Sequence, residues 1–439
     1  MKFFHIAYVA GLLMMPVTLF SQQNPTPAGP QKKSILIMNA TAHLGNGEMI
    51  GNSVIGFDKG KITLVADART VRIDMTKYDT IIQAEGMHVY PGFIATNSTL
   101  GLHEIDAVRA QNDLEEVGTF KPSVRSAIAY NTDSEITPTV RSNGILMGQI
   151  TPRGGTISGT SSVMQFDAWN WEDALVREDD GLHVNWPQVV HRHRDKGKLS
   201  IDRVKTYDQQ RREIEIFFRE AKAYADAGKK DVVEMRYEAL RGVFNGSKTL
   251  YVHADHIQSI REAIFFKREM GIQKMVIVGG YDAIHAADLL KEDKVPVMLT
   301  RIHSLPVYEG DDVDLPFRLP GMLHAAGIAF SLQNEGDMER MGLRNLPFYA
   351  GTSVAYGLPY EEAVRSITLA PAEILGISDR CGSLEVGKDA TLFLSAGDAL
   401  DMRTNALKHA FIQGRQIDLR SKQTELYEKY KKKYDAEKR

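Results

Sequence analysis

At 439 residues the chain is long enough for one large domain and a smaller one, and its 43% hydrophobic content suits a packed core. A formal net charge of −3 supplies no broad basic field, so nucleic acid is excluded as an expected partner. The single cysteine, Cys381, excludes an intrachain disulfide framework and any cysteine-rich metal site.

Met1-Lys2 is followed by an apolar run from Phe3 to Phe20, interrupted by Pro16, and then by Ser21-Gln22-Gln23 and a Pro-rich stretch to Pro30. A charged start, a short apolar run and a small residue at its end predict a secretory signal peptide over 1–21 and a linker over 22–32. A membrane anchor is the alternative, but the run is marginal in length and lacks a basic far flank. No cysteine lies near the cut, which argues against a lipoprotein. Loss of Lys2 with the leader takes the formal charge from −3 to −4. The expectation is an exported protein of the bacterial periplasm, not membrane-bound after cleavage.

From Lys33 to His88 the texture is short, β-rich and turn-punctuated. Ser34–Met38, Ser53–Phe57, Lys61–Val65 and Asp79–Gln83 read as strands. A similar texture returns over Gly382–Leu394 and Ala410–Ile417. The two ends together predict one small β-sandwich, over 33–90 and 376–418. Between them, 91–375 alternates apolar strands with amphipathic helices. Tyr207 to Ala227 carries Ile214, Phe217, Phe218, Ala221 and Tyr224 on one stripe, Gly271–Val278 reads as a buried strand, and 294–299 as the next. This rhythm predicts an α/β fold with a (β/α)8 TIM-like barrel; a doubly wound sheet is second, since no Gly-x-Gly-x-x-Gly follows a strand. Residues 419–439 read as a charged helical tail.

Residues 90–99, Tyr-Pro-Gly-Phe-Ile-Ala-Thr-Asn-Ser-Thr, resemble the opening motif of the amidohydrolase superfamily, where an Asp-x-His-x-His run follows the Pro-Gly turn. Ala95, Asn97 and Thr99 stand at its Asp and His positions. Ser366-Ile-Thr-Leu-Ala-Pro-Ala-Glu-Ile-Leu-Gly376 and Gly382-Ser-Leu-Glu-Val-Gly-Lys-Asp-Ala390 resemble the family's ending, with Thr391 in place of its usual Asp. The stretch 133–162 resembles an imidazolonepropionase-related branch, in which a strand ending near Gln149 delivers a Gly-rich loop to the active-site face.

The resemblance implies a site at the strand ends. Asn97 and Thr99 offer hydrogen bonds but are not primary ligands for zinc-class metals. Their i, i+2 spacing on a strand predicts that they point the same way. Arg153 is a candidate clamp for a carboxylate or else a surface ion pair, and Gly154, Gly155 and Ser158 are expected to shape a small-molecule pocket. His253 matches the family's fifth-strand metal histidine, and is the one ligand position kept. Asp255 and His256 could add acid/base groups, with helix capping the plainer role for Asp255. Gly279 stands at the sixth-strand histidine. Gln333 stands at the eighth-strand Asp, where it cannot take a proton. Glu335 reaches the site only if that strand ends early. The fourth-strand ligand is sought between 200 and 250. His191 with His193, or His103 (near Glu104 and Asp106) with His253, are the alternative metal sites. Trp169, Trp171 and Trp186 either line a pocket or bury an insertion.

The family chemistry implied is hydrolysis of cyclic amides or other non-peptide C–N bonds on a metal that activates water. The missing ligands favour an inactive relative instead, one that binds a small molecule or an active paralogue. No cofactor is expected, with zinc, iron or manganese admitted only in a rearranged site. The partner expectation is a small-molecule ligand, with a homo-oligomer or a hetero-complex with an active paralogue as the assembly.

Overall fold

The computed structural model describes residues 26–105, 108–195, 198–228, 232–336 and 338–437, with backbone alone for 191–201 and 437. The expected signal peptide, Asp106 and the His191 and His193 side chains lie outside the described residues.

Strands from both ends join in one eight-stranded sheet. It contains β1 (Ile35–His43), β2 (Met49–Asp58), β3 (Lys61–Asp67), β4 (Thr80–Gln83) and β5 (His88–Pro91). The C-terminal stretch adds β16 (Leu392–Ser395), β17 (Leu407–Ile412) and β18 (Arg415–Gln416). β1 forks the sheet: its first half pairs with β4, its second half with β5. Alternation sends Ile35 and Ile37 into one apolar cluster and Leu36 and Met38 into another, so both faces are covered. The described part of the expected linker, 26–32, is docked: Asp167 accepts from the Ala28 N–H at 2.9 Å, and Arg415 donates to the Ala28 carbonyl at 2.8 Å.

The second eight-stranded sheet runs β6 (Phe93–Ser98), β7 (Ile145–Ile150), β8 (Ile157–Gln165), β9 (Leu175–Asn185), β12 (Thr249–Ala254), β13 (Met275–Gly279), β14 (Val297–Leu299) and β15 (Phe330–Leu332). A parallel bridge between Thr96 and Gln333 brings its two edges together, giving a nearly closed barrel. One strand departs from the expected parallel set: β8 is antiparallel to both neighbours, because the connections that join it to β7 and β9 are too short for a crossover helix, the second holding one helical turn at Trp171–Ala174. The fourth barrel strand is therefore β9, at 175–185. The window 200–250 instead holds the helices Tyr207–Asp226 and Met235–Asn245, which is why the fourth-strand position was not found there.

Ile214, Phe217, Phe218 and Ala221 bury one face of the first of these helices, at the spacing expected. Inside the barrel, Ile94, Met147, Val163, Tyr251, Val276 and Met298 form an apolar layer closed by Leu375, Ile377 and Cys381. Towards the strand ends that layer gives way to a polar one. The charged tail is helical over Lys422–Glu437, largely exposed. Among the described residues no helix is long and apolar enough to cross a membrane. The hairpin of β10 (Val190–Asp195) and β11 (Lys198–Arg203) stands apart from both large sheets.

Candidate functional site

The polar layer begins at the seam. Asn97 has φ of 52°, a left-handed conformation that Asn tolerates better than most residues. Three contacts hold it there: its N–H donates to Gln149 Oε1 at 3.1 Å, and Arg153 donates to its Oδ1 and its carbonyl, each at 2.7 Å. The turn breaks the strand's alternation, visible as a register shift between Ala95 and Ser98. Asn97 and Thr99 therefore do not share a target, contrary to the expectation. Asn97 Nδ2 donates to Gln333 Oε1 at 2.7 Å across the seam, while the Thr99 N–H and hydroxyl both donate to the Glu339 carboxylate. Ser98 donates to the same carboxylate at 2.9 Å. Burial raises the Glu339 pKa, and Arg153 and the threonine and serine donors pull against that rise.

Arg153 is thus engaged within the protein, with Glu339 a further 3.9 Å away, rather than presented as a free carboxylate clamp. Gly154 and Gly155, both at positive φ, pack on 115–121. A Cβ at Gly154 would lie 1.7 Å from Glu115 Oε2, and one at Gly155 2.7 Å from the Thr119 carbonyl. Asn185 Nδ2 donates to the Gly155 carbonyl at 2.7 Å and to Ser158 Oγ at 3.0 Å. Gly155 lines a side cavity of about 200 Å³, whereas Ser158 is buried behind it.

A cleft of about 660 Å³ opens at the ends of β9 and β12, lined by Trp186, Val189, His253, Asp255, His256 and Glu335 among others. β15 ends at Leu332, so the early end needed to bring Glu335 to the site is present. His253 Nδ1 lies 3.7 Å from Glu335 Oε1. Burial alone would raise the Glu335 pKa, but His253, Arg153 and Asn97 outweigh it and hold the carboxyl at about 2. The helix cap expected of Asp255 belongs to His256: its Nδ1 accepts from the Gln258 N–H at 3.1 Å at the start of the helix Ile257–Met270. Asp255 Oδ1 instead accepts from the Tyr281 N–H at 3.3 Å. Trp186 is the tryptophan that reaches the cleft; Trp169 is exposed.

Behind His253 stands a buried chain that the sequence reading missed. His253 Nε2 lies 3.0 Å from His183 Nδ1, and His183 Nε2 lies 2.9 Å from Ser161 Oγ. Ser161 donates to Asp180 at 2.8 Å; Gln149 Nε2 donates to Ser161 at 3.1 Å and to Asp180 at 2.8 Å; Tyr251 donates to Asp180 at 2.7 Å. His183, Ser161, Asp180, Gln149 and Tyr251 are all buried, and His253 at the head of the chain is partly exposed. Desolvation, His253 and Arg153 push the His183 pKa well down, so His183 is neutral. Desolvation raises Asp180, against its three donors. The signal available in sequence was His183 itself, a lone histidine between Leu182 and Val184 near the end of β9.

The donor set does not fit the metal that the resemblance implies. Two of its positions hold Asn97 and Gln333, neutral amides bonded to each other. At a third, Gly279 has φ of 100° and a Cβ there would meet Asp255 Oδ1 at 2.5 Å, so Asp255 fills the space a histidine would need. Among the described residues no three His, Cys, Asp or Glu side chains group to hold a metal ion, and His103 joins no such group with His253.

Residues 237–417 match the model of the amidohydrolase family. In fold the chain is similar to an amidohydrolase from Thermotoga maritima MSB8, with 23% identity, a TM-score of 0.74, and 88% of this chain and 100% of that one covered. It is also similar to a Xaa-Pro dipeptidase with methionine bound in its active site (13% identity, TM-score 0.53, 88% and 100% covered) and to phenylurea hydrolase B (14%, 0.53, 88% and 97%). No curated protein matches the sequence. Over residues 237–417 the chain is similar to the amidohydrolase family, and its barrel shares its fold with these solved structures.

Proposed function

We propose that this protein is an amidohydrolase-like barrel that binds a small polar molecule in the cleft at His253 and Glu335 without running metal-dependent hydrolysis. The observation that carries the reading is the 2.7 Å bond between Asn97 and Gln333, two amides joined where the family chemistry needs a ligand and a base. An amide cannot take up the proton of an attacking water. Glu335 does not replace that base: held at about 2, it is too weak a proton acceptor near neutral pH.

A second reading keeps hydrolysis of a cyclic amide or another non-peptide C–N bond. It is favoured by the buried chain from Asp180 through Ser161 and His183 to His253, a costly set of polar groups to bury in a purely structural barrel. Export, an imidazolonepropionase-related origin for 133–162, and assembly as a homo-oligomer or with an active paralogue complete the proposal.

Imidazolones, hydantoins and N-acyl amino acids, tested with and without added zinc, separate the two readings. The first predicts ligand-dependent rises in melting temperature with no turnover beyond that of a His253→Ala variant. Turnover abolished by that substitution would overturn it in favour of the second.

A further inference from the structure

Away from the cleft, a second titratable cluster ties the end sheet to a barrel helix. His43 closes β1 and His88 opens β5, and the two rings meet edge to edge with His43 Nε2 3.0 Å from His88 Nδ1. At its other edge His43 Nδ1 lies 2.7 Å from Glu361 Oε1, in the helix Tyr360–Arg365. The second oxygen of Glu361 is buried with no hydrogen-bond partner among the described residues, so His43 is the group that answers this carboxylate. Tyr90 covers His43 face to face, with ring centroids 4.4 Å apart and planes 6° from parallel. A second bridge runs beside the first: the Tyr90 and Tyr360 hydroxyls are 3.0 Å apart, and Tyr360 donates to Asp398 at 2.6 Å. His43 is buried and His88 partly exposed.

Counting protons limits what this chain tolerates. His43 Nδ1 holds a proton, because it bonds a carboxylate. The gap between the rings takes one proton, given by whichever ring carries it, and this holds while at most one ring is charged. When both are imidazolium, two N–H groups face each other across 3.0 Å and two positive charges meet, so the bond is lost. We infer that Glu361, His43 and His88 form an acid-released clasp between the end sheet and the barrel, closed until the pair takes a second charge. β5 runs through the Pro91-Gly92 turn into β6, so the clasp anchors the strand that carries Asn97.

The titratable groups facing the pair are Glu361 and Tyr360 from the helix, Tyr90 from β5 and Asp398 from the β16–β17 connection. β1 and β16 set Thr41 and Ser395 opposite His88, and neither titrates there. Burial and then His43 lower the His88 pKa from the usual 6.5, with Asp398 pulling the other way. A base held below its unfolded pKa stabilises the fold above about 6.5, and that contribution fades as pH falls below it.

Amide hydrogen exchange on the whole protein, at about pH 7.5 and about pH 5 and corrected for the chemical rate, tests the clasp. Segments 39–45, 86–91 and 358–366 are expected to exchange about tenfold or more faster in acid, the effect of one pKa unit, while 275–279 in the barrel changes little. His88→Asn keeps an N–H donor towards His43 and cannot charge, so it should exchange alike at both pH values. Tyr90→Phe keeps the stacked ring and should keep the acid response. Ring titrations of the parent by NMR give a reading that needs no variant to fold: the His43–His88 pair should take up its two protons in steps at least about 1 pH unit apart. No acid response, acceleration spread evenly over the chain, or a response kept in His88→Asn would each overturn the inference. So would a response lost in Tyr90→Phe, or rings that titrate independently.

Discussion

Asn97 and Gln333 are 236 residues apart and share a buried 2.7 Å hydrogen bond that ties the first barrel strand to the eighth. The bond does two jobs. It joins edges that also share the Thr96–Gln333 bridge and the Thr96 hydroxyl's bond to the Leu332 carbonyl, and it commits Asn97 Nδ2 and Gln333 Oε1 to each other. Gln333→Ala would leave a buried Asn97 donor unpaired, at a cost of about 1–3 kcal/mol. Urea unfolding should show that loss. A variant as stable as the parent would mean that the seam is held elsewhere.

The left-handed turn at Asn97 makes a second, separable prediction. Asn97→Ala loses the side-chain bonds and forces a Cβ residue to φ of 52°, whereas Asn97→Gly loses the bonds alone. Glycine should be the more stable of the two by about 1 kcal/mol. Equal stability would show that the turn relaxes once Arg153 lets go.

Installing a histidine at Gly279 should not rebuild a metal site. The new side chain must displace Asp255 from 2.5 Å and adopt φ of 100°. The expected outcome is a loss of about 1–3 kcal/mol and no gain in zinc affinity, read by unfolding and by zinc titration. Tight zinc binding by Gly279→His would show that the space is open.

Cys381 supplies a prediction from protonation. Burial, with a smaller push from Asp389, raises its thiol pKa to about 12. A folded-state pKa above the unfolded one favours the neutral thiol in the fold. That stability is complete below the unfolded thiol pKa and is lost as pH rises towards about 12. Cys381 should therefore resist a thiol reagent at pH 8 in the folded protein and react fully in denaturant. Rapid reaction in the native state would contradict its placement under the barrel, beside Leu375 and Ile377.

The sequence made some of this legible because the signals were local. The Pro91-Gly92 turn, the helical stripe from Ile214 to Ala221 and the apolar runs at 275–279 and 297–299 each declare an element within a few residues. Glu335 was legible only conditionally, since its direction depended on where β15 stopped. Other features depend on partners far along the chain. Glu339 satisfies Ser98 and Thr99 from about 240 residues away, and no local pattern announces it. The antiparallel β8 hides the fourth strand, because its connections are too short to show the βα spacing that marks a parallel strand. His183 was passed over for the same reason. The left-handed turn at Asn97 defeated an argument from alternation, which holds only while φ stays extended.

The central claim is that amides, a glycine and an inward chain of hydrogen bonds occupy the positions where the related chemistry would hold a metal. Elemental analysis of the purified protein, produced with zinc, iron and manganese supplied, tests it most directly. The account predicts well under one equivalent of any of the three, unchanged in a His253→Ala variant. One full equivalent that disappears with His253 would contradict it.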